Sequence, residues 1–340
     1  MALRFGIFDH LEKRDLPLAD LYRERLDYIE RADQLGFWCY HKAEHHMTPL
    51  DGAPAGNMFL TAAALRTERI RLGALVHLLP FHHPIRLLEE VCVLDQLSGG
   101  RVEMGIGRGI SPPEHSYWGL DPDAGRSLTE ESLAILVAGF GAKRITHHGT
   151  HFRFDDAPIE VTPLQRPRPP LWYPGNPAFA GEHGLHTVVF GPVPGIAQAV
   201  AAFREAAANT TAAPINVGPL TIGALRHVFV AETDAAAETR ARRSWARYTA
   251  NLSKLFREAG LPIPMDPTVG GDFDKARRVC AAVVGSPETV AEDVAAFASD
   301  SGSDYYIGAF AWGDLEHAES MRSLELFAKE VMPRFAPIGR

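Results

Sequence analysis

Residues 69–109, RIRLGALVHLLPFHHPIRLLEEVCVLDQLSGGRVEMGIGRG, constrain the fold more than any other stretch. Ile70 to Val76 is an apolar run of strand length. Pro84 suits a first helical position, where its fixed φ helps and its missing N–H costs nothing. Ile85, Leu88, Val91, Leu94 and Leu97 then recur at helical spacing. Ser98-Gly99-Gly100 ends that helix, since glycine enters the left-handed region without penalty. Val102 to Ile106 predicts a second strand, which runs into Gly107-Arg108-Gly109. The unit is βαβ, so its two strands are parallel, and its mouth is glycine-rich and cationic.

The same alternation runs along the chain. Strands are expected at Leu3 to Phe8 and Phe37 to Tyr40, and helices at Leu18 to Leu35 and Phe59 to Arg66. Residues 111–125 interrupt the pattern with two adjacent prolines and read as a loop insertion. Residues 143–170 read as a short β excursion followed by a proline-rich connector. Leu171 to Tyr173, Thr187 to Phe190, Leu220 to Ala231 and Tyr305 to Phe310 supply further strands, with helices between and after them. Residues 259–274 lack periodicity and form a lid candidate. Eight βα units predict one domain over 1–340. It is an α/β (β/α)8 TIM barrel with insertions after strands 4 and 7 and the β excursion before strand 5. Its site would lie at the carboxyl ends of the strands.

Composition narrows the function class. A formal charge of −8 with no basic block argues against nucleic acid as a partner. Three cysteines, none in a CxxC pair, fit a reducing compartment without a disulfide framework. The amino terminus lacks a signal-peptide h-region, and no apolar run reaches the roughly 18 residues of a membrane helix. A cytoplasmic enzyme is expected.

Residues at the predicted strand ends include His10, Glu44, His45, His46, His77, Arg108, Trp172, Asn176 and Trp312. The HKAEHH cluster at 41–46 leaves a strand, where side chains alternate faces, and HExxH is absent. A metal-free histidine site is therefore favoured over a metal centre. Gly105, Gly107 and Gly109 do not fit GxGxxG, but glycines allow close approach of a ligand to the backbone. Arg108 offers a forked cation for a phosphate. Tyr117, Trp118, Trp172 and Trp312 suggest an apolar or aromatic pocket, and His10, Trp172 and Trp312 are its substrate-contact candidates.

These residues carry a resemblance. HPIRLLEEVCVLDQLSGGRVEMGIGRG at 83–109, AEHH at 43–46, VVGSPETVAEDVAAF at 283–297 and ESMRSLELFAKEVMP at 319–333 stand in the order found in bacterial luciferase-like flavin monooxygenases. The chain resembles that family from Phe5 to Pro333. The resemblance implies a barrel, a dimer, and reduced FMN supplied by a separate NAD(P)H-flavin reductase. It also implies O2 as co-substrate, and oxygenation of a small molecule through a flavin C4a-hydroperoxide. It marks His45 as the catalytic histidine, with Glu44 a second catalytic candidate beside it, and Arg108 as the phosphate contact. Leu75-Val76 falls where the family carries a non-prolyl cis peptide beneath the flavin, and Asn176 lies in a loop that supplies phosphate contacts. Luciferase itself has a reactive cysteine at the position of Gly107, so luciferase activity is not expected. Hydride transfer with FMN or a deazaflavin, and flavin binding without catalysis, are the alternatives.

Overall fold

The computed structural model describes residues 3–263 and 272–335. Half of the expected lid, residues 264–271, lies outside them. Twelve strands are present among the described residues. They are β1 (Arg4–Asp9), β2 (Cys39–Lys42), β3 (Arg71–Ala74), β4 (His77–Leu78), β5 (Met104–Gly107) and β6 (Arg144–His148). There follow β7 (Arg153–Pro158), β8 (Leu171–Trp172), β9 (Thr187–Val189), β10 (Ile222–Val230), β11 (Ala282–Gly285) and β12 (Tyr305–Ala309). The helices begin with α1 (Leu18–Leu35), α2 (Gly56–Arg66), α3 (Pro84–Leu97), α4 (Pro112–Tyr117) and α5 (Gly125–Gly139). They continue with α6 (Pro177–Glu182), α7 (Val193–Asn209), α8 (Asp234–Glu258), α9 (Phe273–Arg278), α10 (Pro287–Asp300) and α11 (His317–Leu326).

The long strands form a curled parallel sheet. β12, β1, β2 and β3 pair in that order. A Leu72–Val102 bridge and the β4–β5 pairing carry the sheet on to β5, which pairs with β8. A Trp172–His186 bridge leads to β9, and β9 pairs with β10, which pairs with β12. All these pairings are parallel. β11 adds to the far half of β10, while β6 and β7 make a separate antiparallel hairpin.

Strand alternation explains why the sheet is buried on both faces. On β12, Tyr306 joins one apolar cluster, while Tyr305, Ile307 and Ala309 join another. On β10, Val228 and Val230 enter the first cluster, and Leu225 and Phe229 the second. Parallel strands covered by helices on one side and by their own curl on the other need apolar residues at every position.

Three sequence expectations are corrected. The run from Ile70 to Val76 holds only β3 as a strand; the Leu75-Val76 cis peptide then breaks it from β4, which begins at His77. Residues 111–125 are not patternless, because they hold α4. The adjacent prolines occupy its first turn, and the Ser111 side chain caps the Glu114 N–H. A strand also forms at Ala282–Gly285, within a stretch read only as part of a motif. Among the described residues, no helix is long and apolar enough to cross a membrane.

Candidate functional site

The carboxyl end of β2 positions the histidine cluster. Lys42 is fully buried, and its Nζ donates to Asp51 Oδ2 at 2.7 Å and to the Ala43 carbonyl at 2.7 Å. Asp51 Oδ2 also accepts the His45 backbone N–H at 3.2 Å, which ties the His45 backbone to this buried pair. From α4, Glu114 accepts the His46 N–H at 2.6 Å, and its Oε1 lies 3.7 Å from His45 Nδ1. Burial pushes the Glu114 carboxyl up, but the facing His45 and bonds from His46 and Ser111 outweigh it and hold the group below its ordinary range. At 3.7 Å the Glu114 carboxylate faces Nδ1 as a neighbouring charge, beyond hydrogen-bond length.

Glu44 has a different set of partners. It bonds His46 Nε2 at 2.9 Å and His82 Nε2 at 2.9 Å, and accepts the Leu78 N–H at 3.2 Å. Burial pushes it up, yet the His46 and His82 bonds win and hold it well below the usual carboxylate range. His77 bridges the Gly105 carbonyl and Asn57 Oδ1, and burial pushes it down to about 4. Glu44 thus clamps the loop after β2 to the start of β4, and His77 serves as packing between strands. Among the described residues, no group of three or more His, Cys, Asp or Glu converges as a metal-ligand set.

The β3–β5 unit forms a second wall. A Cβ on Gly105 would stand 2.4 Å from the Ala74 carbonyl oxygen and 2.9 Å from Leu75 Cα. One on Gly107 would meet Val76 Cγ2 at 2.6 Å. Both glycines are therefore required by the close approach of β5 to Leu75-Val76. Beyond them the Arg108 side chain is exposed, and it makes no hydrogen bond or ion pair among the described residues.

These walls enclose a cavity of about 990 Å³. Of the residues singled out in the sequence, His10, Glu44, His45, Leu75, Val76, Gly107, Arg108 and Asn176 all line it. Asn176 also caps α6 by accepting the Phe179 N–H. Trp172 and Trp312 are not among the lining residues. Trp172 is fully buried and donates to Glu103 Oε2 at 2.6 Å. On that strand alternation turns the next residue, Tyr173, to the cavity instead. Trp312 lies behind the wall, donating to the Val228 carbonyl at 3.2 Å and packing against Trp245. Tyr117 and Trp118 are exposed and away from the cavity.

Sequence reasoning missed Glu114, His227, Trp245 and Tyr248 on the wall. A signal existed for three of them. Trp245, Tyr248 and Leu252 recur at helical spacing on α8, and His227 shares its strand face with Leu225 and Phe229.

Residues 3–304 match the model of the luciferase-like monooxygenases. The chain belongs to that family. It is a flavin-dependent monooxygenase. An uncharacterized protein of Sinorhizobium fredii, y4wF, is 35% identical over 98% of this chain and 97% of its own length. Limonene 1,2-monooxygenase of Rhodococcus erythropolis is 27% identical over 91% of this chain and 80% of its own. The oxygenating constituent of 3,6-diketocamphane monooxygenase from Pseudomonas putida, solved with FMN, shares the fold. Its TM-score is 0.82 at 23% identity, over 99% of this chain and 100% of that one.

In this monooxygenase an aromatic end of the cavity adjoins His45. The His10 ring lies 5.5 Å from that of His45, and Tyr248 lies 4.3 Å from His227. Burial pushes His227 down to about 4. Burial, then the neighbouring His45, His227 and Lys42, holds His10 well below its ordinary value. Both imidazoles are therefore neutral near pH 7.

Proposed function

We propose that the protein is the oxygenase of a two-component system. It takes reduced FMN from a separate NAD(P)H-flavin reductase and uses O2 to oxygenate a small organic substrate. The observation that carries this reading is Arg108, a cation without a protein partner among the described residues, beside a glycine-lined wall of a cavity that His45 also lines. The residues fit a flavin phosphate and ring. Arg108 would hold the phosphate as a charge-assisted donor, with Asn176 also lining the cavity. Leu75, Val76 and Gly107 would pack against the ring system. When bound, reduced FMN would supply the electrons that activate O2.

The chain's own groups do the rest. His45 exchanges a proton at Nε2 while Glu114 faces Nδ1. Glu44 acts by holding His46 and His82 in place. Apolar wall residues such as Leu133, Phe179 and Phe190 limit water in the cavity. We read the curled sheet as a single-domain (β/α)8 barrel over 1–340, with insertions after its fourth and seventh strands. Met58, Leu65, Val93 and Leu97 stand exposed on the adjacent helices α2 and α3, which supports a homodimer through that face.

Stopped-flow mixing of the protein with reduced FMN and O2, followed by flavin absorbance, tests the reading. Multiphasic reoxidation, slower than that of free flavin and accelerated by substrate, is expected. Reoxidation indistinguishable from free flavin, with turnover of a reduced deazaflavin instead, would contradict it. His45→Ala should slow oxygenation far more than it weakens FMN binding. Equal loss of both would remove its assigned role.

A further inference from the structure

The aromatic end of the cavity is built from Phe8, His10, Leu225, His227, Trp245 and Tyr248. Its rings form one continuous surface. His10 lies 4.8 Å from Phe8, 5.7 Å from Tyr248 and 6.5 Å from His227, and Tyr248 lies 5.3 Å from Trp245. None of the six side chains is an acid, a lysine or an arginine. The charges buried nearby already have partners. Lys42 is paired with Asp51, and Glu12 accepts from Asn251 and from the Gly313 N–H. An ionic group brought here would lose its hydration and gain no counter-charge.

His227 Nε2 is buried on this surface without a partner among the described residues, and His10 adds a second unpartnered imidazole. His10 is only 8% exposed, it lines the cavity, and its ring nitrogens have no hydrogen-bond partner among the described residues. A neutral imidazole carries one donor and one acceptor nitrogen. Buried polar groups of this kind ordinarily have a partner, and the cavity is where one can come from.

We propose that this end is the substrate subsite, that it takes a neutral ring compound bearing one hydrogen-bonding group, and that His10 anchors that group. The assignment rests on the oxygenase reading above, because it sets the substrate against His45. A carboxylate or ammonium substrate is excluded by the absence of a compensating charge. Within the neutral class, a compound with a carbonyl or hydroxyl is favoured over its plain hydrocarbon.

Isothermal titration of the full chain near neutral pH with acetophenone, benzoate, benzylammonium and ethylbenzene tests this. Acetophenone should bind at least about tenfold tighter than either ion, and about 3- to 10-fold tighter than ethylbenzene, the worth of one neutral hydrogen bond. In His10→Phe the affinity for acetophenone should fall to that for ethylbenzene, while His10→Asn keeps part of the preference. Unchanged FMN binding, read by fluorescence quenching, establishes that both variants are folded. The proposal is overturned if either ion binds as well as acetophenone, if no probe binds, or if His10→Phe keeps the preference. A wild type with the expected probe preference but no FMN binding would overturn the flavin reading and still support the subsite.

Discussion

Lys42→Met removes one member of the buried pair behind His45. Lys42 Nζ and Asp51 Oδ2 are 2.7 Å apart, and both side chains are fully buried. Methionine keeps most of the stem volume, so the change is chiefly electrostatic. Asp51 is left buried, with only the His45 and Ala53 N–H groups to answer it. Removing one partner of a buried pair costs about 3–5 kcal/mol, and the two backbone donors place this case at about 3 kcal/mol. For a chain of 340 residues, roughly 2 cal/mol/K of unfolding entropy per residue converts that into a Tm lower by roughly 4 °C. Urea unfolding followed by far-ultraviolet circular dichroism should report the loss as a lower midpoint at unchanged slope. Lys42→Met combined with Asp51→Leu should recover most of the stability, since apolar replacement of a buried pair is often neutral. It should not recover oxygenation, because the acceptor for the His45 N–H is gone. A loss below about 1 kcal/mol in Lys42→Met, the worth of a solvent-exposed pair, would refute the reasoning.

Other perturbations probe the remaining walls. Arg108→Ala should weaken FMN binding roughly 10- to 100-fold, the worth of a charge-assisted bond, with Arg108→Lys intermediate, as fluorescence titration would reveal. Gly105→Ala drives a methyl group into the Ala74 carbonyl and Leu75, and should cost at least about 1–3 kcal/mol in urea unfolding. Glu114→Gln should lower oxygenation roughly 10- to 100-fold, part of the 10²–10⁴ that a positioned proton-transfer group supplies, without changing FMN affinity. Acidification should destabilise the fold. Burial holds His41 down to about 3, and His77, His186 and His227 down to about 4. Between pH of about 6.5 and 4 the unfolded chain therefore binds more protons, and stability falls with pH. Glu12 opposes this, because burial lifts it to about 7. Its contribution is full below the unfolded value near 4.5 and is lost as pH rises through 7. His82, Glu103 and Asp293 are raised too and oppose the decline, while His10 and His317 are lowered and add to it. Six lowered histidines against four raised groups leave a net decline, which a urea midpoint as high at pH of about 5 as at about 7 would contradict.

The order of elements was legible because βα alternation is written in local periodicity. α1 and α3 occur at the residues their spacing predicts, and Arg108 follows a strand as the glycine pattern implies. Periodicity did not show the break between β3 and β4; only the family resemblance pointed to the cis peptide found at Leu75-Val76. An apolar run is compatible with one strand, and only the neighbouring chain at Gly105 and Gly107 reveals how closely Leu75-Val76 is approached. The two tryptophans were misplaced for a related reason. An indole at a strand end can face the cavity or the core, and the Glu103 acceptor that draws Trp172 inward is 69 positions away in sequence.

By itself the sequence determined the βα architecture, the histidine cluster after β2 and the cationic glycine mouth after β5, because each depends on residues adjacent in the chain. Tertiary structure alone decided the site's wiring. Glu114 reaches His45 and His46 from a helix 68 positions further on, and α8 lays Trp245 and Tyr248 beside His10 and His227. Such contacts depend on how the sheet curls and which face each helix turns inward. That is settled by packing the whole core at once and not by any local stretch.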